Sequence, residues 1–412
     1  MIARHLKGKK LIGDNFQIAG EAKQRKKANP QTIDATIGSL KDEDGKFLFF
    51  KTVDKTIRTL PKESVYAYSS LDGGKEFHEA ILDWAFGDFK EEILNKIHYR
   101  IIATSGGTGA VSNALTANTN KDETIILPHI YWGPYASMAS VNQLDIAEYK
   151  MLDDGKFNIQ GLSEVIDKVG KNQKSITIIL NDPCNNPTGY SLSNNELKSV
   201  VETLNQRSDI KFNLIYDIAY FDYEISDNNN REKFSILAKI KENTIVSIAL
   251  SCSKTFSIYG LRTGAQIIIG KNKDDVDENY DISKLLSRTL WSNVTRSGIE
   301  TFTTIMNNQS LLKSFKAELT LANEMLKERV KIFLREADQY QLDYFPYHGG
   351  FFITVNFENS DLLVEELKKE DIFIIPLTNA IRISISSITI NETKGLARKI
   401  KLAMDRCKKE LT

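Results

Sequence analysis

The chain has 412 residues, and its 54 lysines and arginines balance its 54 aspartates and glutamates, so the formal net charge at pH 7 is zero. A neutral chain has no general attraction for nucleic acid or for an anionic membrane, and we predict neither as a partner. Its three cysteines and five histidines lack the spacing of a disulfide framework or a metal site. No apolar run is long enough to be a signal peptide or to span a bilayer. We expect a cytoplasmic protein with two packed units.

The first thirty residues are polar and rich in lysine, and we expect them to form a loosely attached arm. A short apolar stretch then ends at Gly38. A glycine there either has a positive φ, which is the more common case, or lets another group approach its backbone closely. An aromatic loop that contains Tyr68 precedes a helix predicted from about residue 76 to 86.

Strands alternate with helices between about residues 45 and 270, which predicts a layered α/β sheet. Ligands of such sheets bind at the carboxyl ends of the strands. Polar or aromatic residues follow five of the predicted strands, and these are Gly106-Gly107-Thr108, Trp132, Asn186, Asp217 and Lys254.

Three of these positions allow a functional and a structural interpretation, and a fourth, Asn186, is interpreted in one way. Gly107 and Thr108 either bind an anion at a helix N-terminus or form an ordinary turn. Trp132 either stacks on a flat ring or covers the core. Asn186 lies in a loop with two X-Pro bonds, which favour a cis peptide and would aim the side chain at the strand ends. Asp217 either keeps a pyridine nitrogen protonated or caps a helix.

The stretch from Ser251 to Gly264 lies between two predicted buried strands and contains Lys254 and Arg262. Burial disfavours the charged form of a lysine, and a neutral amine can form a Schiff base with an aldehyde. An arginine can bind a phosphate through two parallel hydrogen bonds. A lysine-bound aldehyde and an arginine-bound phosphate together describe pyridoxal 5′-phosphate. The alternative is a surface loop whose lysine and arginine are solvated.

The pattern changes after residue 270. It predicts a helical region at 282–307, a long helix at about 311–340, and a smaller α/β unit with a basic C-terminal helix. One predicted strand of that unit, at about 372–376, is followed by another that contains Arg382, which faces either a cleft or water. We predict an N-terminal arm with part of the small domain at 1–45, a large domain at 46–307 and a small domain at 308–412.

Four motifs, in this order, resemble the aspartate/aromatic aminotransferases of fold type I. They are Gly-Gly-Thr-Gly-Ala (106–110), Asn-Pro-Thr-Gly (186–189), Asp-x-Ala-Tyr (217–220) and Ser-x-Ser-Lys (251–254) followed by Arg262. The resemblance covers about residues 33–390. It implies an α/β fold, with a large domain built on a mostly parallel sheet flanked by helices and a smaller α/β domain. It also implies pyridoxal phosphate as the cofactor, no metal, and a homodimer with shared active sites.

The resemblance assigns a role to each site residue. Lys254 forms the Schiff base and moves the proton of the reaction. The cofactor contacts Gly107, Thr108, Trp132, Asn186, Asp217, Tyr220, Ser251, Arg262 and, from the neighbouring subunit, Tyr68. The substrate contacts Gly38, Trp132, Asn186, Phe352, Arg382, which binds the α-carboxylate, and Arg288, which crosses the dimer interface to a distal carboxylate. Arg296 takes the place of Arg288 if the register is shifted.

The implied reaction transfers an amino group from an L-amino acid, either aspartate or an aromatic one, to 2-oxoglutarate by a ping-pong mechanism. The alternatives are a β-lyase or decarboxylase on the same scaffold and a cofactor-binding module without catalysis. Arg288 favours a dicarboxylate, because a buried arginine without an anionic partner is costly. Three residues depart from the family pattern: Tyr135 replaces a histidine found in many members, Trp291 replaces a tyrosine and Val294 replaces a proline.

Overall fold

The computed structural model of the chain describes residues 2–10, 15–225 and 230–410. The remaining residues fall within all three predicted domains, so that part of the domain prediction lies outside the described chain. The strands are β1 (Ile33–Asp34), β2 (His98–Ser105), β3 (Thr124–Pro128), β4 (Asp145–Tyr149), β5 (Leu152–Asp153), β6 (Lys156–Phe157), β7 (Ser175–Asn181), β8 (Lys211–Asp217), β9 (Thr244–Ser251), β10 (Thr263–Gly270), β11 (Phe352–Asn356), β12 (Ile372–Phe373), β13 (Ile375–Leu377) and β14 (Ala380–Ser384).

The helices alternate with these strands up to β10 and dominate the chain after it. They are α1 (Asn15–Ala28), α2 (Lys51–Thr59), α3 (Lys62–Tyr66), α4 (Lys75–Phe86), α5 (Lys90–Leu94), α6 (Gly106–Asn118), α7 (Pro134–Val141), α8 (Ile159–Val169), α9 (Asn194–Gln206), α10 (Glu232–Leu237), α11 (Cys252–Thr255), α12 (Lys273–Leu290), α13 (Arg296–Met306), α14 (Gln309–Gln339), α15 (Ser360–Lys368), α16 (Ile390–Thr393) and α17 (Leu396–Glu410).

A seven-stranded sheet forms the centre of the molecule, in the order β2-β10-β9-β8-β7-β3-β4. β10 is antiparallel to both of its neighbours, and the other adjacent pairs are parallel. The residues of β7, β8 and β9 are buried almost throughout, as expected for parallel strands that are covered on both faces. The predicted α/β fold with a mostly parallel sheet is therefore confirmed.

The strand directions bring distant parts of the chain to one edge of this sheet. The parallel strands all end there, and the antiparallel β10 begins there, with Thr263 opposite Ser105 and Gly264 opposite Ser251. Arg262, which precedes β10, consequently lies beside the ends of β2 and β9.

A second, smaller sheet has the order β11-β14-β13 and is antiparallel throughout. β1 joins this part of the molecule, because it pairs in parallel with β12. The N-terminal residues differ from the predicted loose arm. Residues 15–28 form helix α1, which ion pairs hold in place: Arg25 Nε lies 3.0 Å from Asp371 Oδ1 and Lys26 Nζ lies 2.6 Å from Glu392 Oε1.

Two other predictions needed correction at their boundaries. The predicted helical region 282–307 is two helices, because α12 ends at Leu290 and α13 begins at Arg296. α12 also begins earlier than predicted, at Lys273. The Asn272 side chain caps it by accepting hydrogen bonds from the backbone amides of Asp274 and Asp275. The predicted strand 372–376 is divided into β12 and β13, which pair with different strands.

Candidate active site

A pocket opens at the edge of the central sheet where the parallel strands end. It is lined by Gly107, Thr108, Trp132, Tyr135, Asn181, Asn186, Asp217, Ala219, Tyr220, Ser251, Ser253, Lys254 and Arg262. This set contains every predicted cofactor residue except Tyr68. The strand ends therefore bring together residues that are more than 150 positions apart along the chain, as the rule for α/β sheets predicts.

Lys254 lies on α11, in the first turn after β9. Burial, together with the charges of Arg262 and Arg382 and against the opposing effect of Asp217, lowers the pKa of its amine to about 8. The Lys254 Nζ atom lies 4.9 Å from the ring centroid of Tyr259 and 5.6 Å from that of Tyr220. An appreciable fraction of this amine is neutral near physiological pH and can act as a nucleophile.

The start of α6 and the Arg262 side chain form a site suited to an anion. Gly106, the first residue of α6, has φ 68°, and a Cβ atom on it would lie 2.6 Å from Nη2 of Arg262. A glycine is needed here because the guanidinium approaches the backbone so closely. Arg262 Nη1 donates to Ser253 Oγ at 3.2 Å and to the Tyr259 carbonyl at 3.1 Å. The described residues offer no carboxylate within ion-pair distance of Arg262.

The charges at the pocket fit a cofactor that carries a phosphate. Lys254, Arg262 and Arg382 place three cationic groups around a single carboxylate, that of Asp217. A phosphate at the N-terminus of α6 would balance this excess, and the adjacent helix end and arginine are suitable donors. The donor set, the buried acid and the lysine therefore match the functional groups of pyridoxal phosphate.

Asp217 is held in place behind the pocket by four hydrogen bonds. The Tyr135 hydroxyl donates to Oδ2 at 2.6 Å and the Ala219 amide donates to Oδ1 at 3.0 Å. The Asn181 side chain and the Asp182 amide donate to its carbonyl oxygen at 2.9 and 3.0 Å. Burial raises the pKa of the Asp217 carboxyl, and the donors from Tyr135 and Ala219 oppose that effect. Asp217 therefore does not cap a helix, and its carboxylate faces the pocket.

The loop after β7 carries Asn186 and contacts both the central sheet and strand β11 of the smaller sheet. Both X-Pro bonds in it, Asp182-Pro183 and Asn186-Pro187, are cis, as the sequence suggested for at least one of them. The Asn186 amide donates to Asn181 Oδ1 at 2.6 Å. On the other side, Thr354 of β11 donates through its hydroxyl to the Pro187 carbonyl at 2.7 Å.

Arg382 faces this cleft and not bulk water. Its Nη1 donates to Asn186 Oδ1 at 3.3 Å, its Nη2 donates to the Thr36 carbonyl at 2.7 Å, and its guanidinium lies 4.3 Å from the Phe352 ring centroid. Burial lowers the pKa of Arg382 to about 10. Its Nε atom is buried and has no hydrogen-bond partner among the described residues. A buried donor without an acceptor is costly, so this atom suits an incoming anion.

Gly38 is required for close approach and not for backbone conformation. It is absent from the residues with positive φ, so the favoured interpretation was wrong. A Cβ atom on Gly38 would lie 2.3 Å from Cζ of Phe352, which leaves no room for any side chain. The alternative interpretation, in which another group approaches the backbone, is the correct one.

Gly38, Phe352 and Arg382 are not part of the pocket lining but lie next to it, where the Phe352 ring packs edge-on against Tyr220. Two further predicted site residues are exposed instead. Tyr68 is 87 % exposed in the loop between α3 and α4. Arg288 is exposed near the end of α12, where its Nη1 donates to Ser292 Oγ at 2.7 Å. The resemblance places both of them at the pocket of a second subunit, and these assignments stay predictions.

The sequence analysis missed several residues of the pocket. Asn181 is the last residue of β7, so the rule that identified Asp217 at the end of β8 would also have found it. Ser253 and Tyr259 lie in the stretch around Lys254, but the sequence contains no sign of their contacts with Arg262. Tyr135 stood out only as a departure from a family pattern.

The described residues contain no group of three or more histidine, cysteine, aspartate or glutamate side chains that could hold a metal ion. Within the same ranges, no helix is both long and apolar enough to cross a membrane.

The family model "Aminotransferase class I and II" matches residues 30–400. The chain belongs to this family. It is 25 % identical to aspartate aminotransferase of Escherichia coli strain K12 over 309 residues, which is 74 % of this chain and 76 % of that protein. It is 23 % identical over 376 residues to the aspartate aminotransferase of Haemophilus influenzae, covering 89 % of this chain and 92 % of that one.

Among solved structures, an aminotransferase from Anaerococcus prevotii superimposes with a TM-score of 0.92 at 28 % identity, covering 98 % of both chains. An aromatic-amino-acid aminotransferase from Burkholderia pseudomallei, covalently bound to pyridoxal phosphate, has a TM-score of 0.78 at 20 % identity, covering 98 % of this chain and 100 % of that one. This class I and II family member is an aminotransferase that uses pyridoxal phosphate.

Proposed function

We propose that this aminotransferase transfers the amino group of L-aspartate, or of an aromatic L-amino acid, to 2-oxoglutarate by a ping-pong mechanism. The observation that carries the proposal is the arrangement of Lys254, Asp217 and Arg262 around one pocket, with the unpartnered Nε of Arg382 beside it. The names of relatives that act on aspartate and on aromatic amino acids support the two donor classes.

Each pocket residue has a distinct task in this proposal. Pyridoxal phosphate, when bound, supplies an aldehyde for a lysine and a ring that accepts electrons from the substrate's α-carbon. Lys254 attacks as the neutral amine and afterwards moves a proton at its Nζ atom. Asp217 holds the proton of the ring nitrogen, and Trp132 covers the ring. The remaining residues bind the phosphate and the phenolic oxygen, and these are Gly107, Thr108, Ser251, Arg262, Asn186 and Tyr220.

The substrate is bound by two arginines with different surroundings. Arg382 binds the α-carboxylate, which satisfies its unpartnered Nε and compensates its buried charge. Arg288 binds the distal carboxylate of a dicarboxylic substrate from the neighbouring subunit. It makes no ion pair within the described chain, whereas Arg296 is already paired with Glu300 at 3.0 Å. This difference favours Arg288 over Arg296. Gly38 and Phe352 close the substrate side of the pocket.

The active unit in this proposal is a cytoplasmic homodimer. Tyr66, Tyr68, Leu285 and Leu290 are exposed by 83, 87, 58 and 60 %, and burying such large apolar side chains against a second chain would be favourable. Tyr68 then reaches the phosphate in the partner's pocket. Residues 46–307 form the large domain and residues 308–412 the small domain. Residues 1–45 contribute to the small domain, which the pairing of β1 with β12 supports.

The half-reaction tests the proposal directly. The cofactor-loaded protein is mixed separately with L-aspartate, L-glutamate, L-phenylalanine and L-alanine while its visible absorbance is followed. Fastest bleaching by aspartate and glutamate supports a dicarboxylate donor, whereas fastest bleaching by phenylalanine supports the aromatic donor. If none of the four changes the spectrum, the substrate assignment is wrong. Product formation without a keto acid would identify a β-lyase or decarboxylase instead.

A further inference from the structure

Tyr259 contacts both the reactive amine and a segment of the chain that is distant in sequence. Its ring centroid lies 4.9 Å from Lys254 Nζ. Its phenolic oxygen accepts a hydrogen bond from the backbone amide of Leu40 at 3.1 Å. Burial raises the pKa of Tyr259 well above its ordinary value, so the phenol stays neutral throughout the pH range in which proteins function.

Leu40 belongs to residues 36–41, here called the Gly38 segment, whose other end is attached to β14. The Thr36 carbonyl accepts from Arg382 Nη2 at 2.7 Å and the Ile37 carbonyl accepts from Ser384 Oγ at 3.0 Å. The Gly38 segment therefore connects the strand that carries Arg382 with the turn that carries Lys254. Tyr259 is the side chain through which it meets that turn.

Two further contacts join the same parts of the chain. The Ser257 hydroxyl donates to the Leu48 carbonyl, and the Phe47 ring packs edge-on against Tyr259 with a centroid distance of 5.6 Å. The turn after Lys254 is thus held against residues 40–48. A displacement of the Gly38 segment must either break the hydrogen bond from Leu40 or move the Tyr259 side chain.

We propose that Tyr259 is a positioning residue that transmits the position of the Gly38 segment to the Lys254 amine. An anion on Arg382 competes with the Thr36 carbonyl for the guanidinium and so displaces the Gly38 segment. The Leu40 amide then pulls on the Tyr259 hydroxyl, and the ring shifts relative to Nζ. Because an aromatic face attracts a nearby cation, this shift changes how strongly Lys254 holds its proton. The inference rests on the proposed roles of Lys254 and Arg382.

A double-mutant cycle on the cofactor-loaded protein tests this coupling. The pH midpoint of the visible absorbance reports the proton at Lys254 Nζ, whose charged and titratable neighbours are Asp217, Arg262, Arg382, Tyr220 and Tyr259. Gly38→Ala perturbs the contact between the segment and Phe352, because an added Cβ would lie 2.3 Å from Cζ of that ring and one of the two must move. Tyr259→Phe keeps the ring and removes only the hydroxyl that binds the Leu40 amide.

We expect Gly38→Ala to shift the midpoint by about half a pH unit when Tyr259 is present. In the Tyr259→Phe background the same change should shift it by much less. Equal shifts in both backgrounds, or no shift in either, would overturn the proposal. A Tyr259→Phe protein that only melts earlier, with the Gly38→Ala shift intact, would show a merely structural role and would overturn it as well.

Two controls separate this inference from the proposed function. Tyr344→Phe removes a hydroxyl that donates to Asp338 at 2.7 Å in another part of the molecule, and it should leave the Gly38→Ala shift unchanged. Lys254→Ala should abolish the pH-dependent band. If the band persists, the role of Lys254 is wrong and the inference falls with it. If the pH-dependent band requires Lys254 but Gly38→Ala shifts the midpoint equally with and without the Tyr259 hydroxyl, only the coupling through Tyr259 is wrong.

Discussion

The hydroxyl of Tyr135 lies 2.6 Å from Oδ2 of Asp217, and both side chains are buried. Burial and the adjacent carboxylate raise the pKa of Tyr135 well above its ordinary value. The phenol therefore remains a hydrogen-bond donor throughout the neutral pH range. A histidine at this position would titrate near neutral pH. The tyrosine thus gives Asp217 a donor that does not change with pH in that range.

Tyr135→Phe should weaken cofactor binding by roughly ten- to a hundredfold, because a hydrogen bond to a charged group contributes about 1.5–3 kcal/mol. This loss of affinity arises only when the cofactor is bound, because its ring nitrogen requires the charged form of Asp217. In the empty pocket, burial raises the pKa of that carboxyl and favours its neutral form. Cofactor titration of the apoprotein measures the loss of affinity. Tyr131→Phe, in the loop that precedes α7 and outside the pocket lining, is the control. An unchanged dissociation constant would contradict the assigned role of Tyr135.

The rate at which the apoprotein captures pyridoxal phosphate should rise with pH and level off above a midpoint near 8. Only the neutral amine of Lys254 attacks, and the pKa of that amine is lowered to about 8. Arg382→Gln should move the midpoint upward, since the Arg382 charge disfavours a second cation nearby. Stopped-flow absorbance between pH 6 and 10 follows the reaction, with Arg335→Gln on the exposed face of α14 as a charge-matched control. A midpoint that equals that of a free lysine would refute the prediction.

Lys233→Met should lower the free energy of unfolding of the apoprotein by about 3–5 kcal/mol. Lys233 Nζ lies 3.0 Å from Asp182 Oδ2, and the two side chains are 4 and 0 % exposed, so the change leaves a buried carboxylate without its cation. Asp182 also accepts from the Leu192 amide at 2.6 Å and thereby organises the loop that carries Asn186. Urea denaturation measures the loss. Lys150→Met removes an exposed pair with Asp153 and should have little effect.

Arg288→Gln should reduce kcat/KM for L-aspartate by about thirtyfold to several thousandfold while that for L-phenylalanine changes little. The expected loss corresponds to about 2–5 kcal/mol for removing one partner of a desolvated charge pair. Steady-state kinetics with both donors give the ratio. Arg296→Gln is the matched variant, and its ion pair with Glu300 predicts a much smaller change in that ratio. If Arg296→Gln causes the larger loss, the two arginines have exchanged roles.

The sequence was sufficient to predict the fold and the grouping of several residues at one sheet edge, because both depend on local patterns and one general rule. The helices predicted at about 76–86 and 311–340 rest on local signals, and the structure reproduces them within a residue or two as α4 and α14. Once the strands are parallel, the residues after them must share one edge of the sheet. Asp217, Asn186 and Lys254 could therefore be placed together without knowledge of the tertiary structure.

The remaining features depend on distances between residues that are far apart along the chain. The favoured interpretation of Gly38, a positive φ, was wrong because no local pattern announces the approach of Phe352, which lies more than 300 residues later in the chain. The ion pairs that fix α1 also involve the C-terminal unit, so the polar composition of residues 15–28 alone suggested a loose arm.

Periodicity by itself determined that this protein has an α/β fold, and the order of its motifs, through their resemblance to a known family, indicated pyridoxal phosphate as its cofactor. Only the tertiary structure decided how the pocket residues act on one another. Tyr135 beside Asp217, Arg382 beside Thr36 and Tyr259 between Lys254 and Leu40 are contacts between separate elements. They also set the pKa values in the pocket, because burial and nearby charge depend on positions in space and not on order along the chain.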